Sequence, residues 1–448
     1  MQRADPARRS IRLERPRDAG AWLALFAVGL VLRVAYTWFA TGPGATPSSD
    51  PATYDTVAWN LARGAGFSLD AAAGPYPTAF VPPVVPWLTS LLYRVVGHDY
   101  FAAVLLQCVI GALVPLLVAS LAGSLFGGTV GRVAGWIAAV HPLLVFFSGY
   151  LLTETAFCAA LLLALLLSAE WVRTPRGGRA LGAGIAWGLA TLTRPTALLL
   201  PLVIAAWGWR PLGLTVGAGT RLRHLALLAL GAAVVVVPWT IRNATALRAF
   251  VPVTTGSGGA LMVANNPAAW DDPAMRGGAH SGSYQAAIAS EFRGLSEVEV
   301  DARARARAWS FMRSRVRDWP AVALAKIGRF WRIRAEGGGT GSWQRTGSPL
   351  EPLRRLDPLL VWSIVTLPFA LWGVVRTLRG PRRWFQSLPL LVILYFMLLA
   401  VVFFGSLRMR MPIEPLVAML AALGVDDARR ALQARARGLS VVPRSRER

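Results

Sequence analysis

Ser48-Ser49-Asp50-Pro51-Ala52-Thr53-Tyr54-Asp55 follows Ala21 to Ala40, the first apolar run of the chain and one long enough to cross a bilayer. Two carboxylates therefore stand just beyond a membrane span. Counting further spans outward from this point assigns every later polar segment to one side of the membrane or the other.

Further apolar runs lie near Phe101–Phe126, Val130–Ser148, Leu151–Val172, Ala180–Thr193, Thr196–Trp209 and Leu225–Trp239. After a long polar segment come Pro358–Val375, Leu388–Gly405 and Pro412–Leu423. The chain has 448 residues, 54% of them hydrophobic and 16% charged. That is too apolar for an ordinary soluble domain, and the reading is an all-α polytopic membrane protein with about ten or more transmembrane helices. The expected division is a basic cytoplasmic N-terminus (1–20) and a transmembrane core (21–240) carrying a first outer loop (41–99). A long outer loop (241–357), C-terminal spans (358–424) and a basic cytoplasmic tail (425–448) complete it.

Charge supports this count. The formal net charge is +24, but the arginines gather at the termini and in short connections. With the N-terminus inside, Arg173 to Arg179, Arg221 to His224, Arg376 to Arg383 and the tail after Asp426 all face the cytoplasm, as the positive-inside rule requires. The same placement argues against nucleic-acid binding. The long loop is also basic, yet long loops are translocated largely regardless of charge. Cys108 and Cys158 fall inside apolar runs and read as small core residues. Lys326 is the sole lysine of an Arg- and Ala-rich chain, a composition that fits a GC-rich bacterial genome and hence a bacterial plasma membrane.

On this topology the outer face receives Asp50, Asp55, Glu154, Arg194, Arg242, Asn243, Arg408 and Arg410. Polar groups at the edge of a bilayer are costly and usually functional. Each also has a plainer account. Asp50-Pro51 reads as a helix start, with the carboxylate as N-cap, proline at the first helical position and Gly64 as the stop. Tyr54, Val57, Ala58, Leu61 and Ala62 would give that helix an apolar face on the membrane surface. Glu154 suits the positive end of a helix, Arg194 could reach toward headgroups, and the asparagines suit turns. His141 reads as a hydrogen-bonded core histidine, because no second histidine stands at ligand spacing. In the long loop, Val298 to Arg317 reads as a solvated basic helix. Trp319 to Trp331 reads as an amphipathic one, with Leu324, Ile327, Phe330 and Trp331 toward lipid and Lys326, Arg329 and Arg332 toward headgroups.

Asp50-x-x-x-Tyr54, Ala58-x-Asn60-Leu61-x-x-Gly64-x-Gly66-Phe67 and Pro82-Pro83-x-x-Pro86 together resemble the first outer loop of the GT-C glycosyltransferases of the protein-mannosyltransferase and aminoarabinose-transferase group, family 39 in kind. His141-Pro142 with Leu151-Leu152-Thr153-Glu154, the Leu192-Thr193-Arg194-Pro195 turn, Pro238 to Asn243, Asn265-Asn266-Pro267 and Arg408-Met409-Arg410-Met411-Pro412 resemble later stretches of that group. The resemblance runs from about Asp50 to Leu423.

What it implies is a GT-C fold and an inverting transfer of sugar from a polyprenyl-phosphate donor to an acceptor protein, lipid or glycan, among membrane lipids. Asp50 is then the base, with Glu154 assisting. Arg194 with Arg408 or Arg410 holds the phosphate, and Tyr54, Asp55, Arg242, Asn243, Asn265 and Asn266 line the substrates. Pro51 stands where the group often has a second acid, which leaves Asp55 as the other candidate base. Asp50 and Glu154 could supply oxygen to a divalent metal or act without one. The alternative from another class is a transporter or flippase of a lipid-linked substrate, which suits buried charge and broken helices; related halves would mark it, and no internal repeat is visible. No P-loop or Gly-rich nucleotide loop is present.

Overall fold

Each of the ten apolar runs is helical in the computed structural model, which describes residues 19–213, 215–331 and 358–436. The bundle begins with α1 (Ala19–Ala40). The segment after α1, expected above to be outer, folds as α2 (Ser49–Ala62), an antiparallel hairpin of β1 (Ser68–Ala71) and β2 (Gly74–Pro77), and α3 (Val84–Val96). There follow α4 (Tyr100–Phe126), α5 (Gly128–Ala139), α6 (Pro142–Ser148), α7 (Thr153–Arg173), α8 (Gly177–Thr193), α9 (Leu200–Gly213) and α10 (Ala218–Leu247). The segment after α10, expected above to be outer and called the outer unit below, holds α11 (Ser257–Ala264), α12 (Pro267–Asp271), α13 (Ser281–Ala289), α14 (Glu297–Ser314) and α15 (Trp319–Phe330). The chain closes with α16 (Pro358–Arg379), α17 (Arg383–Gln386), α18 (Leu388–Val402), α19 (Leu407–Arg410) and α20 (Glu414–Ala436).

This is a multi-pass membrane protein. Among the described residues α1, α4, α7, α10 and α16 are each long and apolar enough to cross a bilayer, and α5 with α6, bent by 53° at their junction, makes a sixth such span. Of the other apolar helices, α3, α8, α9 and α18 are shorter, at 13, 17, 14 and 15 residues, and the last apolar run opens α20, whose second half is polar. Chain direction alternates, so one end of the bundle collects the C-termini of α1, α6, α8, α10 and α18 and the N-termini of α4, α7, α9 and α20. The opposite end is tied by reciprocal indole bonds, Trp207 to the Trp384 carbonyl at 2.9 Å and Trp384 to that of Trp207 at 2.8 Å.

Bare backbone contact sets the helix spacing. A Cβ on Gly184 of α8 would lie 2.1 Å from the Leu228 carbonyl oxygen of α10, and one on Gly231 of α10 would lie 2.4 Å from that of Leu181. Gly373 and Gly424 do the same between α16 and α20, at 2.0 and 2.2 Å from Leu420 and Phe369 oxygens. Small residues replace the hydrophobic drive that lipid removes.

Several local expectations change. Asp50 does not cap α2: the helix starts at Ser49, its N-cap Ser48 makes no side-chain bond, and Asp50 sits inside the first turn. Gly64, at φ 85°, does end it. The apolar face of α2 is buried in protein rather than laid on lipid, with Val57 and Ala58 fully covered. The span before the long loop continues to Leu247, which puts Arg242 and Asn243 in a helix. On α15 the expected sides are exchanged. Lys326 and Arg329 are buried with Phe330 while Leu324 is exposed, because both cations find carbonyls to bond inside. The outer unit has its own small core of Leu261, Met262, Trp270, Phe292, Met312 and neighbours. The expected basic N-terminus up to 18, residues 332–357 of the long loop with Arg332, and the tail from 437 lie outside the described residues.

Candidate active site

Four charged side chains meet where α2, α7, α8 and α19 converge. α7 begins at Thr153 after an extended Leu152, which sets Glu154 in its first turn and inside the protein, with no exposed surface. α8 stops at Thr193 because Pro195 cannot continue it; Arg194 takes an extended conformation as C-cap, and Pro195–Ala197 turns as a 3-10 helix. Arg194 Nη1 lies 2.8 Å from Glu154 Oε1. Arg408, on the single turn of α19, directs its Nε to the same Glu154 oxygen and its Nη1 to Asp50 Oδ2. The result is a chain of alternating charge, Asp50–Arg408–Glu154–Arg194.

Access is graded along this chain. The Asp50 side chain is 50% exposed, Arg408 24%, Arg194 12% and Glu154 not at all. Burial is the largest influence on Arg408 and disfavours its charge, yet Glu154, Asp50 and Tyr54 outweigh it and hold its pKa above the ordinary arginine value. Tyr54, one turn along α2 from Asp50, is buried against the same group. Burial raises its phenol pKa, Arg408 opposes, and Glu154 and Asp50 add to the rise. The phenol thus stays protonated beside the carboxylates, as a neutral hydrogen-bond donor.

The other sequence candidates stand elsewhere. Asp55 is buried and takes hydrogen bonds from Tyr93 Oη and from His98 Nε2 at 2.9 Å, with His98 stacked 4.7 Å from Trp59. Arg242 donates from Nη2 to the Phe67 carbonyl at 2.6 Å and from Nη1 to that of Thr78, stapling the hairpin to α10 between the Phe67 and Trp239 rings. Asn243 donates to the Val251 and Val253 carbonyls at 3.0 and 3.3 Å. Asn265 bonds the Leu261 and Val402 carbonyls, and Asn266 caps α12. Arg410 turns away from Arg408 to pair with buried Glu414.

Glu414 was not singled out from the sequence, although Arg410 and Glu414 stand four apart, the spacing of an ion pair on one helical face. Glu297 was also passed over. Its carboxylate accepts bonds from Thr78 Oγ1, the Ala79 amide and Thr255 Oγ1, joining the hairpin to α14.

Among the described residues no three His, Cys, Asp or Glu side chains assemble as metal ligands. Here two carboxylates share one arginine, a donor set that does not fit a dedicated cation site. What the arrangement offers is two guanidinium groups beside a half-open carboxylate.

The profile of the dolichyl-phosphate-mannose-protein mannosyltransferase family matches residues 81–242, which includes Glu154 and Arg194 and stops short of Asp50 and Arg408. Among solved structures, the archaeal oligosaccharyltransferase AglB from Archaeoglobus fulgidus in complex with an inhibitory peptide and a dolichol-phosphate matches with TM-score 0.57 and 13% identity, over 95% of this chain and 52% of that one. The same enzyme tethered to an acceptor peptide matches with TM-score 0.56 and 13% identity, over 96% and 52%. ArnT from Cupriavidus metallidurans bound to undecaprenyl phosphate is a looser match, at TM-score 0.46 and 18% identity over 93% and 79%. No curated protein matches the chain. The fold is that of the archaeal oligosaccharyltransferase, shared over nearly the whole of this chain. The chain spans about half the length of the archaeal enzyme, 52% of it.

Proposed function

We propose that this protein is an inverting glycosyltransferase that moves a sugar from a polyprenyl-phosphate donor to an acceptor hydroxyl at the outer face of a bacterial plasma membrane. The observation that carries this reading is Arg408 held between Asp50 and Glu154, with Arg194 on the far side of Glu154, at one end of a GT-C bundle. The match of the mannosyltransferase profile across Glu154 and Arg194 agrees with it.

The chemistry follows from the residues. The donor phosphate is an anion that must leave with the electron pair of the bond to the anomeric carbon. Arg194 and Arg408 supply planar donors for its oxygens from a mostly buried position. Asp50, the more open carboxylate, takes the proton of the acceptor hydroxyl as that oxygen attacks the anomeric carbon from the opposite face. Glu154 is fully buried and cannot meet an acceptor arriving from solvent; it balances the charge of the two arginines and aims them. Tyr54 offers its hydroxyl to the sugar or phosphate. Asp55, Arg242, Asn243, Asn265 and Asn266 hold the loops that frame the site. The acceptor is a protein, lipid or envelope glycan. On this reading the first outer loop (41–99) and the described part of the long outer loop (241–331) cover the transmembrane core (21–240) and the last spans (358–424).

The test is sugar transfer by purified protein in lipid vesicles, with a panel of labelled polyprenyl-phosphate sugars and an acceptor extract. Asp50→Asn lowers transfer by at least about 100-fold, in the range set by loss of a general base. Full transfer by folded Asp50→Asn protein would end the assignment. Label crossing the bilayer with its covalent partner unchanged would favour transport.

A further inference from the structure

Arg408 and Arg410 stand two residues apart on one helical turn, which points their side chains to opposite sides of α19. Arg408 faces Asp50 and Glu154. Arg410 faces inward, where its Nε is ion-paired with Glu414 Oε1, its Nη1 donates to the Trp331 carbonyl at 3.2 Å, and its Nη2 reaches Ser363 Oγ at 3.4 Å. Glu414 Oε2 lies 3.1 Å from His141 Nε2. All three side chains are at most 2% exposed.

The histidine's other nitrogen fixes its role. His141 Nδ1 accepts the Leu143 amide at 3.2 Å as the N-cap of α6, so Nδ1 bears no proton. Nε2 therefore carries the hydrogen and donates it to Glu414. A neutral histidine, a carboxylate and an arginine form a closed set in which each charge has its opposite.

Placement gives this set its consequence. His141 stands at the 53° junction of α5 and α6, and α6 leads directly to Tyr150 and on to Glu154. Arg410 and Glu414 flank the turn that joins α19 to α20. One end of the set thus controls where Glu154 sits and the other where Arg408 points. We infer that His141, Glu414 and Arg410 are positioning residues for the donor-phosphate clamp, holding the α5–α6 bend and α19 at the separation that lets Arg408 and Glu154 meet. This role rests on the phosphate-binding reading of Arg408 given above, and it separates the two arginines that the sequence pairs.

The experiment is titration of undecaprenyl phosphate into the full-length protein in nanodiscs, followed by tryptophan fluorescence, together with donor and acceptor KM in the transfer assay. His141→Asn is the informative variant, since asparagine is a good N-cap and keeps the bond to Leu143 while being too short to reach Glu414. Its binding midpoint moves to about tenfold higher ligand, the scale of a displaced positioning group, and donor KM rises while acceptor KM holds. Glu414→Gln does the same if it folds. A purely structural role would instead reduce the amplitude at saturation, through loss of folded protein, and leave the midpoint and both KM values unchanged. That result, or no change at all, overturns the inference while leaving the clamp intact, provided Arg408→Gln still abolishes binding. If Arg408→Gln binds as the wild type does, or the wild type binds no polyprenyl phosphate, the clamp reading falls and the positioning role falls with it.

Discussion

Glu154 is the residue on which the site turns, because one buried carboxylate serves two arginines from two other helices. Removing one partner of a buried pair leaves the remaining charge without compensation, a loss of about 3–5 kcal/mol. Glu154→Gln should therefore lower both transfer and thermal stability in detergent, and unchanged melting would show that the arginines have other means of neutralisation. Asp50→Asn differs in kind: its pair is half exposed, where such bridges are worth about 0–1 kcal/mol, so its loss of activity comes with little loss of stability. The sequence disclosed both acids and both arginines of the site as residues at a membrane edge, since cost and depth are legible in hydropathy. Which arginine meets which acid was not, because Asp50 and Arg408 are separated by 358 positions and only the packed bundle selects the pairing.

At the scale of elements, the outer unit is joined to the bundle by a cation. Lys326 of α15 donates to Asn265 Oδ1 at 2.8 Å and to the Val401 and Val402 carbonyls at 3.0 and 3.3 Å, at the negative end of α18. None of these acceptors is charged, and burial lowers the amine pKa to about 7. The unfolded chain keeps its proton up to about 10.4, so from pH 7 to that value the unfolded state binds more protons and stability rises with pH. The slope is at most about 1.4 kcal/mol per pH unit. Thermal melts between pH 6 and 10 should show the rise, and Lys326→Met should flatten it; a slope untouched by that change would place the titration elsewhere. Helix crossings make a second prediction. Gly184→Ala forces a methyl group into the Leu228 carbonyl and should cost folded yield, whereas Gly182→Ala on the same helix meets nothing within 4 Å and should gain up to about 1 kcal/mol from helix propensity. Equal behaviour of the two would mean that α8 and α10 do not cross there. The apolar length of these helices was plain in the sequence. The amphipathic reading of α15 was not, since a helical stripe reports that two faces differ and cannot say that the basic face turns inward to carbonyls.

For the whole molecule, the alternation of spans separates two surfaces. Cys108 and Cys158 have no exposed surface and should resist a maleimide reagent in the folded protein. Against that silent background, Ser290→Cys on the outer unit should react with a membrane-impermeant maleimide in intact spheroplasts, and Thr174→Cys between α7 and α8 only after permeabilisation. Labelling of Thr174→Cys in intact spheroplasts would invert the topology. The arginine-rich short connections give this alternation a predicted sidedness, which the labelling tests. The hairpin and α3 were not legible, because a segment of four to thirteen residues covered by neighbours carries no charge bias to mark its side.

The guanidinium that completes the site belongs to α19, while the carboxylate it meets belongs to α2, 358 positions earlier in the chain. Asp50 and Glu154 are both synthesised well before the cation they share, and only the packing of α19 against α2 and α7 brings it to them. A chain truncated before Leu407 would lack Arg408, the guanidinium that bridges the two acids, so the joining of Asp50 to Glu154 reports that α19 has been made and packed.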